Sequence, residues 1–101
     1  MSFLTSLSNC SNLRVLDLAK NHFKGFLPHS IANLSTKITW FGLEDNYIYG
    51  NIPLGIGNLV NLQYFFLYQN LLIGSIQNAI GKLSMLEKLL LHYNNISKEI
   101  P

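Results

Sequence analysis

The sequence predicts an α/β-type solenoid, and three observations predict it. One spacing occurs four times: Leu13, Leu16, Leu18 and Asn21; Ile38, Phe41, Leu43 and Asn46; Leu62, Phe65, Leu67 and Asn70; Leu86, Leu89, Leu91 and Asn94. The asparagines stand 25, 24 and 24 residues apart, and a fixed period in the twenties around L-x-x-L-x-L-x-x-N marks stacked repeats. A second shared run follows each asparagine: Phe23, Gly25, Leu27 and Pro28; Ile48, Gly50, Ile52 and Pro53; Leu72, Gly74 and Ile76; then Ile96, Ile100 and Pro101. The template divides residues 1–101 into a partial repeat 1–12, repeats 13–37, 38–61 and 62–85, and a partial repeat 86–101.

The first element, residues 3–12, has no strand template and fits the second half of a repeat. Leu7-Ser8-Asn9-Cys10 stands where Ile31-Ala32-Asn33-Leu34 and Ile56-Gly57-Asn58-Leu59 stand later. Cys10 therefore occupies a leucine column and reads as a buried core thiol, since free cysteine packs as a small hydrophobe. A lone cysteine gives no disulfide framework.

The L-x-L pair at Leu16 and Leu18 discriminates strand from helix. Residues two apart share a face in a strand and diverge widely in a helix. Copies of this short strand should stack as one parallel sheet, with Val15, Asp17 and Ala19 on the face away from the core. Each asparagine then sits where the chain leaves the sheet, and its amide can both donate to and accept from turn backbone. Asn21, Asn46, Asn70 and Asn94 are thus expected to form a hydrogen-bonded structural ladder. Gly25, Gly50 and Gly74 follow their asparagines by four residues, which suits a positive φ or a close approach to the next coil. Lys98 breaks that column. Pro28 and Pro53 fix φ and oppose a long helix on the return path, and Gln77 replaces the third proline.

Leu34 and Ile38 are separated by one residue more than Leu59 and Leu62. The extra residue, around Ser35-Thr36-Lys37, is expected to bulge on the outer face. In the fourth repeat Ile80, Leu83, Leu86 and Leu90 could line a helix face, but the register favours a turn followed by a strand. At the two ends of the array, Phe3, Leu4 and Leu7 and then Leu86, Leu89 and Leu91 are expected to lie uncovered.

Composition excludes several functions. The net charge is +2, and the seven basic residues are scattered, whereas nucleic-acid binding needs a basic stripe. Met1 to Asn12 lacks the basic and apolar regions of a secretory signal. The most apolar stretch, from Leu59 to Ile73, contains Asn61, Gln63, Gln69 and Asn70 and is not expected to insert into a membrane. His22, His29 and His92 have no metal-ligand spacing to a cysteine or carboxylate, and Glu44-Asp45 is not a pair aimed at one bond. No catalytic residue, metal site or cofactor is expected, so the chain does not read as an enzyme.

The pattern N-x-[FI]-x-G-x-[LI]-P-x-x-I-x-N-L, in Asn21 to Leu34 and Asn46 to Leu59, resembles the plant-specific class of extracellular leucine-rich repeats. The phrases around Leu7-Ser8-Asn9-Cys10-Ser11-Asn12-Leu13 and Ile56-Gly57-Asn58-Leu59-Val60-Asn61-Leu62 are similar to ectodomains of plant leucine-rich repeat receptor-like kinases, in particular immune receptors of bacterial patterns. The resemblance implies a right-handed superhelix with the sheet on its concave face and a convex side of loops and 3-10 turns. It also implies a signal peptide, cysteine-paired caps, one membrane span and a cytoplasmic serine/threonine kinase. None of these is read in the 101 residues, so an internal slice of about four repeats, or a truncated gene product, is expected. The parent protein would place this segment on the extracellular side of the plasma membrane or in the apoplast, with a protein or peptide ligand and a co-receptor as partners. The alternatives are a secreted inhibitor resembling polygalacturonase-inhibiting proteins and a truncated fragment without independent function.

Binding residues should lie on strand positions facing away from the core. Trp40, Tyr64, Phe66, Tyr68 and Tyr93 form the expected patch, with Glu44, Lys88 and His92 beside them. Interfaces favour Trp and Tyr, although cross-strand aromatics can also merely stabilise a sheet surface. Asn9, Asn33 and Asn95 each open an N-x-[ST] sequon and could carry glycan on a secretory route; Asn33 and Asn95 are expected in surface turns.

Overall fold

The computed structural model describes residues 3–97; Lys98, Ile100 and Pro101 of the template lie outside the described residues. Four coils stack so that equivalent strands pair in parallel. β1 (Val15–Asp17), β3 (Trp40–Gly42), β5 (Tyr64–Phe66) and β7 (Lys88–Leu90) form one sheet in the order β1-β3-β5-β7. Register follows the template: Leu16, Phe41, Phe65 and Leu89 align across the sheet and point inward. Backbone bonds carry the pairing past the strand ends, as Leu18 N–H donates to Gly42 O at 2.8 Å and Lys20 N–H to Glu44 O at 3.0 Å.

A second parallel sheet was not expected. β2 (Lys24–Phe26), β4 (Tyr47–Gly50), β6 (Leu71–Ser75) and β8 (Asn95–Ser97) pair in the order β2-β4-β6-β8. The run after each asparagine, read as a turn, alternates strand-fashion: Ile48 and Leu72 are buried while Tyr47, Tyr49, Leu71 and Ile73 are exposed. Such alternation is the mark of a half-buried strand. Gly50 and Gly74 hold φ of 81° and 83° at or near the strand ends, and a β-carbon on Gly74 would collide with the Asn51 side-chain oxygen of the preceding coil.

The return path is made of single turns. Pro28 and Pro53 are extended and lead into 3-10 turns His29–Asn33 and Leu54–Asn58, where Ile31 and Ile56 drop into the core. In the next coil α2 (Gln77–Ile80) takes this place. The helix does not continue through Leu83 and Leu86 to Leu90, which belongs to β7.

Burial depends on coil position. Leu43 and Leu67, in the middle coils, are 0% exposed, whereas their equivalents Leu18 and Leu91 are only partly buried. Phe41 and Phe65 stack at 5.4 Å between the same two coils. The amino-terminal residues depart from expectation: α1 (Phe3–Ser6) buries Leu4 completely, and the Phe3 ring lies 4.7 Å from Phe23. Conversely Cys10 is exposed, because among the described residues no coil stacks outside its turn as one does over Leu34 and Leu59.

The extra residue in the second coil does not simply bulge. Ser35 is buried, its hydroxyl donating to Ser11 O at 2.9 Å and accepting from Lys37 N–H at 3.1 Å. Only Thr36 and Lys37 face solvent. The insertion thereby ties its coil to the preceding one, helped by Lys37 Nζ donating to Asn12 Oδ1 at 2.7 Å.

Candidate functional site

The outward face of the first sheet carries three rows fixed by strand register. Val15, Trp40, Tyr64 and Lys88 form one row, and Asp17, Gly42, Phe66 and Leu90 the next. Beyond the strand ends follow Glu44, Tyr68 and His92. Trp40, Glu44, Tyr64, Phe66 and Tyr68 are half-buried, while Lys88, His92 and Tyr93 are exposed.

Contacts join most of these residues. The Trp40 indole meets the Phe66 ring edge-on at 5.2 Å and 80°, although Phe66 pairs in register with Gly42. The missing side chain at Gly42 makes this possible. A β-carbon there would lie 2.9 Å from both Trp40 and Glu44 Oε1, so the indole and the carboxylate meet over bare backbone. On the far side Tyr68 stacks flat on His92 at 4.6 Å and 7°, and His92 meets Tyr93 edge-on at 5.0 Å. The Tyr68 hydroxyl donates a long bond of 3.5 Å to Glu44 Oε2, and Glu44 Oε1 is buried without a hydrogen-bond partner. Burial, followed by the negative charges of Glu44 and Asp45, raises the Tyr68 phenol above its ordinary value. Tyr64 lies in register between Trp40 and Lys88.

One feature of the face carried no signal in the apolar template. Lys20, Asp45, Gln69 and Tyr93, each directly before a column asparagine, hold φ of 57° to 58°. This left-handed residue turns the chain out of the sheet, a conformation that costs a non-glycine residue energy.

The asparagines offset that cost with hydrogen bonds. Asn46 Oδ1 accepts from the N–H groups of Asn21 and Phe23, both at 3.0 Å, and its amide donates to Leu18 O, Leu43 O and Glu44 O. Asn70 accepts from Ile48 N–H and donates to Leu43 O and Leu67 O; Asn94 accepts from Leu72 N–H and donates to Leu67 O and Leu91 O. The bonds run from side chain to backbone, both within the asparagine's own coil and to the coil before it, rather than between amides. Asn21 differs: it is exposed, and its amide donates only to Ala19 O of its own coil.

All three sequon asparagines are exposed. Asn9 and Asn33 end 3-10 turns, but Asn95 opens β8 instead of lying in a turn, because the second sheet claims that segment. Among the described residues there is no group of three His, Cys, Asp or Glu able to hold a metal ion, and no helix is long and apolar enough to cross a membrane.

Comparison with known proteins agrees with this architecture. The Leucine Rich Repeat family model matches residues 12–34. Receptor kinase-like protein Xa21 of Oryza sativa subsp. japonica is 47% identical over 64 residues, which are 63% of this chain and 6% of Xa21. The LRR receptor-like serine/threonine-protein kinase EFR of Arabidopsis thaliana is 49% identical over 63 residues, 62% of this chain and 6% of EFR. The chain thus spans about 6% of the length of these relatives. The structure of the plant peptide hormone receptor RGFR1 in complex with RGF2 superposes with a TM-score of 0.88 at 36% identity, over 96% of this chain and 16% of that one. Period, paired parallel sheets and relatives agree: the chain is a run of leucine-rich repeats similar to those of plant receptor kinases.

Proposed function

We propose that this segment belongs to the extracellular region of a plant receptor-like kinase and recognises a peptide or protein ligand with the outward, concave face of its first sheet. A co-receptor would be a second partner, and catalysis would reside in a kinase domain elsewhere in the parent. One observation carries the reading. Trp40, Phe66, Tyr68 and His92 form two aromatic contacts across three adjacent coils on the outward face of the first sheet, which no other described element pairs with. Rings held by sheet register lose little conformational freedom on binding, which suits them as anchors. The peptide complex of a structural neighbour with the same coil geometry supports this reading.

The test pairs affinity with stability. Peptides selected from a displayed library on the intact chain are measured against Trp40→Ala, Tyr64→Ala and Tyr68→Ala. Each truncation should weaken binding by on the order of 1 to 3 kcal/mol while the melting temperature stays close to that of the parent. Selected peptides indifferent to all three changes, with folding intact, would show that this face is not the binding surface.

A further inference from the structure

The second sheet also turns side chains to solvent, and beside the polar Lys24 and Ser75 five of them are large and apolar. Phe26, Tyr47, Tyr49, Leu71 and Ile73 are between 45% and 62% exposed. The pairing joins them into one strip, since Phe26 pairs with Tyr49, Tyr49 with Leu71, and Ile73 with Asn95. Phe26 and Tyr49 lie 6.4 Å apart ring to ring, and His22 stacks on Tyr47 at 5.9 Å. An apolar strip on a sheet face is a liability unless something covers it.

Register shows what stands at its edge. Alternate strand residues share a face; Tyr47, Tyr49, Leu71 and Ile73 point outward while Ile48 and Leu72 are buried. Asn95 pairs with Ile73 and is itself exposed, which places its amide on the same face as the strip. Asn95-Ile96-Ser97 is a sequon. Asn9 and Asn33, by contrast, end turns of the return path, away from the strip.

We propose that Asn95 carries an N-linked glycan whose core lies across Ile73, Leu71 and Tyr49 and covers the outward face of the second sheet. This rests on the reading of the segment as extracellular, because the donor, a lipid-pyrophosphate-linked oligosaccharide, is met on the secretory route. In the transfer the Asn95 amide nitrogen forms a bond to the anomeric carbon of the sugar. The bond from that carbon to the pyrophosphate oxygen breaks with its electron pair leaving on oxygen, and the amide gives up one proton. Neighbouring strands lie about 4.8 Å apart, so β6 and β4 are one and two such steps from the attachment strand. An oligosaccharide of a few rings covers that distance. Each ring has a face of C–H bonds that lies flat on aromatic and aliphatic side chains while its hydroxyls keep their water.

The experiment sends the whole chain through the secretory route of plant cells behind a cleavable leader. Site occupancy is read by glycopeptide mass spectrometry, and the exposed apolar surface by binding of an environment-sensitive dye. Asn95 should be occupied. Trimming the glycan enzymatically to one sugar, which leaves the polypeptide unchanged, should raise dye binding several-fold; Ser97→Ala should do the same, and Asn33→Gln should not. Occupancy at Asn9 or Asn33 with Asn95 bare would overturn the proposal and leave the extracellular reading standing. No occupancy at any of the three would likewise overturn the proposal. Occupancy at Asn95 with dye binding unchanged on trimming would show that the glycan does not cover the strip.

Discussion

The side-chain oxygen of Asn46 accepts the backbone N–H of Asn21, one coil earlier, at 3.0 Å. The bond joins two repeats at the point where each leaves the first sheet, and the same oxygen takes Phe23 N–H as well. Asn46 is buried, so its removal leaves donors and acceptors without water to replace it. Asn46→Ala should destabilise the chain by about 1 to 3 kcal/mol. Asn58 is exposed and makes one long bond of 3.3 Å to Ala32 O, so Asn58→Ala should cost clearly less. Chemical denaturation of both variants decides the point; equal midpoint shifts would count against the inter-coil role of Asn46.

Gly42→Ala tests the contact that its bare backbone allows. The new methyl would press on the Trp40 ring and on Glu44 Oε1, each at 2.9 Å. Both are side-chain atoms and can move, so the fold should survive at a cost of about 1 to 3 kcal/mol. The edge-on contact with Phe66 should be lost. The only tryptophan of the chain reports this directly: its fluorescence should shift toward that of a more hydrated ring, and an unchanged spectrum would show that the indole is held by something other than the space over Gly42.

Tyr68 links this face to pH. Its phenol is raised above the ordinary 10.0 first by burial, then by Glu44 and Asp45. A raised folded value means the folded chain holds the proton longer than the unfolded one. The associated stability is therefore present below about pH 10 and is lost as pH rises through the raised value. A difference titration of tyrosinate absorbance between the parent and Tyr68→Phe isolates the group. Glu44→Gln should lower the midpoint part of the way, since burial and Asp45 remain; an unmoved midpoint would remove Glu44 as a cause.

Cys10 should react under native conditions. Its exposure predicts that a thiol reagent labels it in the folded chain at nearly the rate seen in denaturant, whereas a thiol packed like Leu34 or Leu59 would be protected by orders of magnitude. Protection would mean that the leucine column extends to this turn after all.

By itself the sequence determined the period, the parallel pairing of the L-x-L strands and the inward columns. Leu43, Ile48, Phe65, Leu67 and Leu72 could be assigned to the core because each occupies a position that every coil must fill with an apolar group. Alternation likewise put Trp40, Tyr64, Phe66 and Tyr68 on the outward face. Pattern alone reaches that far because it fixes which way a side chain points from its own backbone.

Tertiary structure decided what each side chain meets. Cys10 and Leu34 share a column, yet only Leu34 has a coil outside it; Asn21 and Asn46 share a column, yet only Asn46 has a coil before it whose backbone it can bind. Trp40 reaches Phe66 because the residue between them is a glycine in the adjacent row. The stretch after each asparagine becomes a second sheet only when its copies lie side by side, and that sheet sets Asn95 next to Ile73. A strand of three to five residues has few hydrogen bonds of its own to signal its presence. Its stability comes from the neighbouring coil, and a one-dimensional pattern does not show where the neighbour's backbone lies.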